Sequence, residues 1–112
     1  TFSPMPHGNV TMWQAMILEA LFTFIFCSVA LTCSTHMHGV NGLIIGLTLT
    51  ACIFCIAELT GAAINPAVAV GPMVWNMILG SQSAFTHLPI YLVGPSLGGL
   101  CAALYYLVVT KD

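Results

Sequence analysis

Asn65-Pro66-Ala67, preceded by Thr60-Gly61-Ala62-Ala63-Ile64, is the stretch with the clearest chemical meaning. Asn is a helix N-cap and Pro is at ease in the first helical position, so a helix starts here. Capping uses the Asn65 side-chain oxygen and leaves the two N–H donors of its amide free. The carbonyls of Gly61, Ala62 and Ala63 precede the helix and are free acceptors. Donors at one level beside a ladder of acceptors make a route for a neutral, hydrogen-bonding solute. The positive end of the helix would point at that route.

The elements that must hold this stretch are membrane spans. Of the 112 residues, 59% are apolar and 4% charged, with a mean hydropathy of +1.02. A soluble domain carries roughly a quarter charged residues, so bilayer must cover this one. Apolar runs over about 13–35, 40–59 and 88–109 each approach the ~20 residues that a ~30 Å hydrocarbon core requires. The segment at about 60–79 holds an apolar stretch too short to cross comfortably and reads as a re-entrant half-helix. Three full spans put the two ends of the chain on opposite sides. The expected class is an all-α membrane protein, with residues 1–112 forming a single half-domain.

Starting at Thr1 rather than Met, the sequence reads as a processed product or a piece of something longer, without a charged, cleavable signal at its start. Residues 1–9 read as a loop leading into the first span. Lys111 is the only basic residue and gives a weak cytoplasmic bias to the C-terminus. The net charge of −2 rests on too few groups to indicate nucleic acid or acidic partners, and no nucleic-acid partner is expected. Trp13, Tyr105 and Tyr106 fit interfacial positions.

Polar residues inside the spans need separate accounts. Glu19 lies about two turns into the first span, with Thr23 one turn on along the same face. Such a group is either a proton or ion site or a buried acceptor for the N–H groups of the irregular loop. The second reading is favoured, because that loop has donors to satisfy. Glu58 ends the second span and reads as solvated or hydrogen-bonded to the loop. His36 and His38 fall in a turn between spans, and His87 falls at a span entrance, so solvation is preferred over a haem or metal site.

The five cysteines, Cys27, Cys33, Cys52, Cys55 and Cys101, all lie in apolar runs. Cys52 and Cys55 form a C-x-x-C, but neither a second pair nor a nearby His completes a tetrahedral metal set. All five are expected to be small packing residues, with no metal and no cofactor. Gly42 and Gly46 on the second span, and Gly94, Gly98 and Ala102 on the third, recur every four residues. Such stripes allow close helix approach.

These residues resemble the second half of an aquaporin, a major intrinsic protein. The matching positions are Gln14-Ala15, Glu19 and Thr23-Phe24; Gly46-Leu47-Thr48; residues 60–67 with Asn-Pro-Ala; Gly71-Pro72; and Val93-Gly94-Pro95 with Gly98. They run in order through nearly the whole chain. The resemblance implies six spans and two half-helices in the full fold, arranged as inverted repeats whose Asn-Pro-Ala starts meet at mid-membrane. It also implies a tetramer with one pore per protomer, passing water or, in some branches, glycerol. This chain would supply the fourth to sixth spans and the second half-helix. Its partners would be the bilayer and a second half bearing the other half-helix.

Two departures from that pattern stand out. A single Asn-Pro-Ala is present. Val68 stands where the family pattern has Arg, three residues after the Asn, and the constriction positions of this half map to Ile53, Ala62 and Val68, all apolar. The expected pore set is therefore Gly61, Ala62, Ala63, Asn65, Pro66, Ala67, Ile53 and Val68, supported by Glu19 and Thr23. The expected function is half of a passive channel for water or a small neutral solute such as glycerol. The alternative is a non-conducting structural subunit of a larger membrane complex. An enzyme is not expected, because Ser, Cys and His residues do not combine into a catalytic set.

Overall fold

The computed structural model describes residues 3–36 and 39–111. Four helices follow one another: α1 (Met12–Thr35), α2 (Asn41–Thr60), α3 (Pro66–Ile78) and α4 (Leu88–Val109). No strand is present among the described residues. α1, α2 and α4 are long and apolar enough to cross a membrane, while the 13 residues of α3 are not.

Local chemistry sets the helix ends. Thr11 and Gln14 form a reciprocal capping box that starts α1, with Thr11 Oγ1 accepting from Gln14 N–H at 3.2 Å and Gln14 Oε1 accepting from Thr11 N–H at 3.0 Å. Asn41 begins α2 and ties it to the preceding helix. Its Nδ2 donates to the carbonyls of Cys33 and His36, each at 2.7 Å. α2 stops where Gly61 turns left-handed, its N–H donating to Ala57 C=O at 2.9 Å. α3 is capped by Asn65, whose Oδ1 accepts from Ala67 N–H at 2.9 Å, with Pro66 in the first position.

α1 is the hub, packing against α4 along most of its length and against α2 on another side. α3 packs against α4, and among the described residues α2 makes no helix-to-helix contact with α3 or α4. The α1–α4 contact is close because Gly94 and Gly98 face α1. A Cβ at Gly94 would lie 2.8 Å from Met16 C=O, and one at Gly98 would lie 2.2 Å from Ala20 C=O. The equally spaced pair Gly42 and Gly46 has nothing within 4 Å, so that stripe brings no helix of this chain close.

Two small cores flank the segment between α2 and α3. Ala15, Ala63, Ala69, Met73, Ile90 and Tyr91 form one of them. Cys52, Ile56, Ala62 and Ile64 form the other, with Phe22 and Phe26 against it. Most of the remaining apolar surface faces outward: Phe54 is 84% exposed and Val108 74%. Surface of this kind on membrane-length helices fits contact with lipid, and the chain is an integral, multi-pass membrane protein. The cysteines divide against expectation. Cys33 and Cys52 are buried and Cys27 half-buried, but Cys55 and Cys101 point outward from α2 and α4 and pack no interior. In a helix Cys52 and Cys55 share a face only approximately, and the neighbouring α1 covers just the first of them.

Candidate functional site

The segment 61–65 is the irregular backbone that the spans enclose. Gly61, Ala62 and Ile64 all have positive φ, at +87°, +50° and +56°. For a β-branched residue such as Ile64 this is a strained conformation. Backbone of this kind turns successive N–H groups toward one side. Three consecutive N–H groups are satisfied there. Ala62 N–H donates to Thr60 Oγ1 at 3.0 Å, Ala63 N–H to Glu19 Oε1 at 3.0 Å, and Ile64 N–H to Glu19 Oε2 at 2.7 Å. Thr60 Oγ1 is also within 2.8 Å of Glu19 Oε1, to which it donates. Glu19, Thr60 and Thr23 are all buried.

The two flanking cores explain why the strained backbone holds. Ala63 is inserted into one and Ala62 with Ile64 into the other, so the alternating conformations send successive side chains to opposite sides. Thr23 adds a tie at the far end by donating from Oγ1 to Ile64 C=O at 3.3 Å. Thr23 is the twelfth of the 24 residues of α1, so the loop reaches the middle of that helix. Asn65 and the start of α3 therefore lie near half its depth.

With the N–H groups taken up on one side, the carbonyls of Gly61, Ala62 and Ala63 meet no donor among the described residues. Ala62 and Ala63 line an open cleft of about 520 Å³, whereas Gly61, expected in the pore set, lies outside that lining. Ile53 and Leu49 of α2 line one flank, and Val68 of α3 with Pro95 and Gly99 of α4 line the other. Phe26, Cys27 and Thr23 of α1 form the back wall, and Ala62, Ala63, Ile64, Asn65 and Pro66 complete the lining. Asn65 is exposed, and its Nδ2 has no hydrogen-bond partner among the described residues. Ala67 is exposed on the first turn of α3, outside the cleft lining. The walls carry no charged side chain. Such a lining can exchange hydrogen bonds with a neutral solute at Asn65 and the carbonyls and offers only apolar contact at Ile53, Ala62 and Val68.

The remaining polar residues stand apart from this cleft. Glu58 is exposed at the end of α2. His36 is exposed, with Nδ1 3.0 Å from Thr32 C=O. His38 lies outside the described residues. His87 flanks a separate cavity of about 280 Å³ beside Asn76, Ser81, Ser83 and Thr86. Among the described residues no three His, Cys, Asp or Glu side chains cluster as metal ligands.

Two residues of the loop's support escaped sequence reasoning. Tyr91 is completely buried and donates from its hydroxyl to Thr60 C=O. A tyrosine near the start of an apolar helix reads as an interfacial residue, and only its hydroxyl, which requires a partner when buried, hinted otherwise. Thr60 was visible only as part of the loop motif. Its double role, donor to Glu19 and acceptor from Ala62, depends on a contact 41 residues away in sequence.

Comparison with known proteins agrees with this architecture. The family model for major intrinsic proteins matches residues 1–106. Aquaporin AqpM of Methanothermobacter thermautotrophicus is 33% identical over 110 residues, covering 96% of this chain and 45% of the relative. Glycerol uptake facilitator protein-like 6 of Lactiplantibacillus plantarum is 38% identical over 93 residues, covering 80% of this chain and 41% of the relative. The glycerol uptake facilitator protein of Escherichia coli is 32% identical over 118 residues, covering 95% and 42%. The chain thus spans less than half the length of these curated relatives.

Proposed function

The chain belongs to the major intrinsic protein family, and on that premise we propose that it forms half of a passive channel for water or a small neutral solute. The observation that carries the reading is the cleft lined together by Asn65, with its free amide N–H groups, and by Ala62 and Ala63, with their unpaired carbonyls. A second half bearing the other half-helix closes the open side of the cleft. Oligomerisation as a tetramer accords with the family resemblance. Relatives in this family are channels, and no catalytic role is assigned to any residue here.

The lining also bears on selectivity. Ile53, Ala62 and Val68 provide neither a cation nor a side-chain donor at the narrow level. Water gains least from such a wall, whereas a solute with its own carbon skeleton makes apolar contact there. The complete channel is accordingly expected to pass glycerol as well as water. Reconstituted full-length assembly gives the test, with water and glycerol fluxes measured before and after Val68→Arg. Arginine should depress glycerol passage relative to water by roughly tenfold, equivalent to about 1.4 kcal/mol on the barrier. High water flux without glycerol passage in the unmodified protein would refute the preference. No flux of either solute, with Val68→Arg equally silent, would assign the chain a structural role instead.

Cation rejection rests on the positive end of α3 and the Asn65 donors. Asn65→Asp keeps an oxygen for the cap and introduces a negative charge at that end. The expected outcome is a folded protein with measurable proton or sodium leak in vesicles. Ion permeability identical to that of the unmodified channel would remove Asn65 from the path.

A further inference from the structure

Residues 3–10 precede the first span, yet they are built into the support of the loop. His7 N–H donates to Leu59 C=O at 3.0 Å, reaching the last turn of α2. Asn76 Nδ2, near the end of α3, donates to Ser3 Oγ at 2.8 Å. Between these two ties Pro4 is buried against Gly61, where a Cβ would lie 3.0 Å from both Pro4 Cα and Pro4 Cβ. Pro4 and Pro6 stiffen the segment, Gly8 turns it with φ +62°, and the Thr11 capping box anchors its far end to α1. A short strap thus joins the start of α1, the end of α2, the first loop residue and the end of α3.

We infer that this strap is a positioning element for solute selectivity, acting through Pro4 on Gly61 and latched by the Ser3–Asn76 hydrogen bond. The inference rests on the channel reading above. Gly61 is held from one side by Pro4, while the adjacent Thr60 is held from the other by Tyr91 and Glu19. Ala62 and Ala63, which come directly after Gly61, line the cleft together with Ile53 and Val68. Their separation from those two side chains therefore depends on where the strap presses. Neither Ser3 nor Asn76 lines the cleft, so both act on the solute only through the loop.

The test uses Ser3→Ala, Asn76→Ala and the double variant in the complete reconstituted channel. Each single variant should change the glycerol-to-water permeability ratio by roughly threefold to tenfold, the range that one net hydrogen bond spans. The double variant should change it no further, because the two residues form one latch. Ser3→Thr, which keeps the hydroxyl, should restore the original ratio. Amide hydrogen exchange at Ala62, Ala63 and Ile64 gives a second readout that needs no flux, and it should accelerate in both single variants with helical content unchanged. A conducting protein whose ratio and exchange rates stay the same in the variants would overturn the strap. If the unmodified protein conducts nothing, faster exchange in the variants still supports the strap's hold on the loop and the channel reading fails, whereas unchanged exchange defeats both.

Discussion

Glu19→Ala should leave no properly assembled protein. The substitution removes the acceptor of two buried backbone N–H groups, those of Ala63 and Ile64, and of the Thr60 hydroxyl. Each stranded buried donor costs about 1–3 kcal/mol. Water cannot easily repair the loss, because Glu19 is completely buried, with Gly94 of α4 packed close against it. Left-handed Ile64 loses its N–H acceptor outright, and left-handed Ala62 loses support through Thr60, whose hydroxyl is freed from Glu19, so both should relax despite the flanking cores. Glu19→Gln retains one acceptor oxygen and presents an amide donor where only donors meet it, so it should fall between the two. Thermal unfolding in detergent, scored together with vesicle flux, orders the series as Glu, Gln, Ala. A stable, conducting Glu19→Ala protein would show that the loop is held by packing alone.

A comparable loss is expected from one methyl group at Gly98. Its Cβ would sit 2.2 Å from Ala20 C=O and 2.9 Å from Thr23 Cβ. These obstacles are a helix backbone and a branched side chain already hydrogen-bonded to the loop, so α4 itself must move away. Overpacking of a tight interface costs about 1–3 kcal/mol and sometimes more. Here the strain falls on the most extensive helix pair in the fold. The neighbouring Gly99 has nothing within 4 Å of its would-be Cβ. Gly99→Ala should therefore match or exceed the parent in stability, since Ala favours helix by up to about 1 kcal/mol. Thermal midpoints of the two variants in one detergent provide the comparison. Equal midpoints would mean that α1 and α4 have slack that the geometry does not display.

This pair of glycines illustrates how far the sequence carries. The all-helical class and the plan of three long helices with one short one were legible, because apolar length and a polar cap are local properties. Asn65-Pro66 announces its helix for the same reason. The four-residue glycine spacing, by contrast, occurs on both α2 and α4, yet only Gly94 and Gly98 meet another backbone. Spacing defines a groove, and which helix fills it is decided by the tertiary arrangement. Glu19 stood out as an ionisable group in an apolar run. Its partners could be reasoned from the loop's need for acceptors, but the division of donors between its two oxygens could not. Tyr91 and residues 3–10 were opaque, since their roles are contacts across the chain that no periodicity encodes. The positive φ values of Ala62 and Ile64 were equally hidden, because neither residue type favours that conformation.

The separation between Glu19 and its partners also bears on how the protein is made. Its three donors lie 41, 44 and 45 residues further along the chain. During synthesis α1 must present this carboxyl group to the bilayer before α2 is complete and before the loop exists. An isolated ionisable side chain within a span disfavours release into lipid. The first span should therefore linger beside the insertion machinery until the second has been delivered. The loop would then dock onto a helix pair still sheltered from lipid, and the assembly of α1 with α2 and the loop becomes a condition of its insertion rather than a later event.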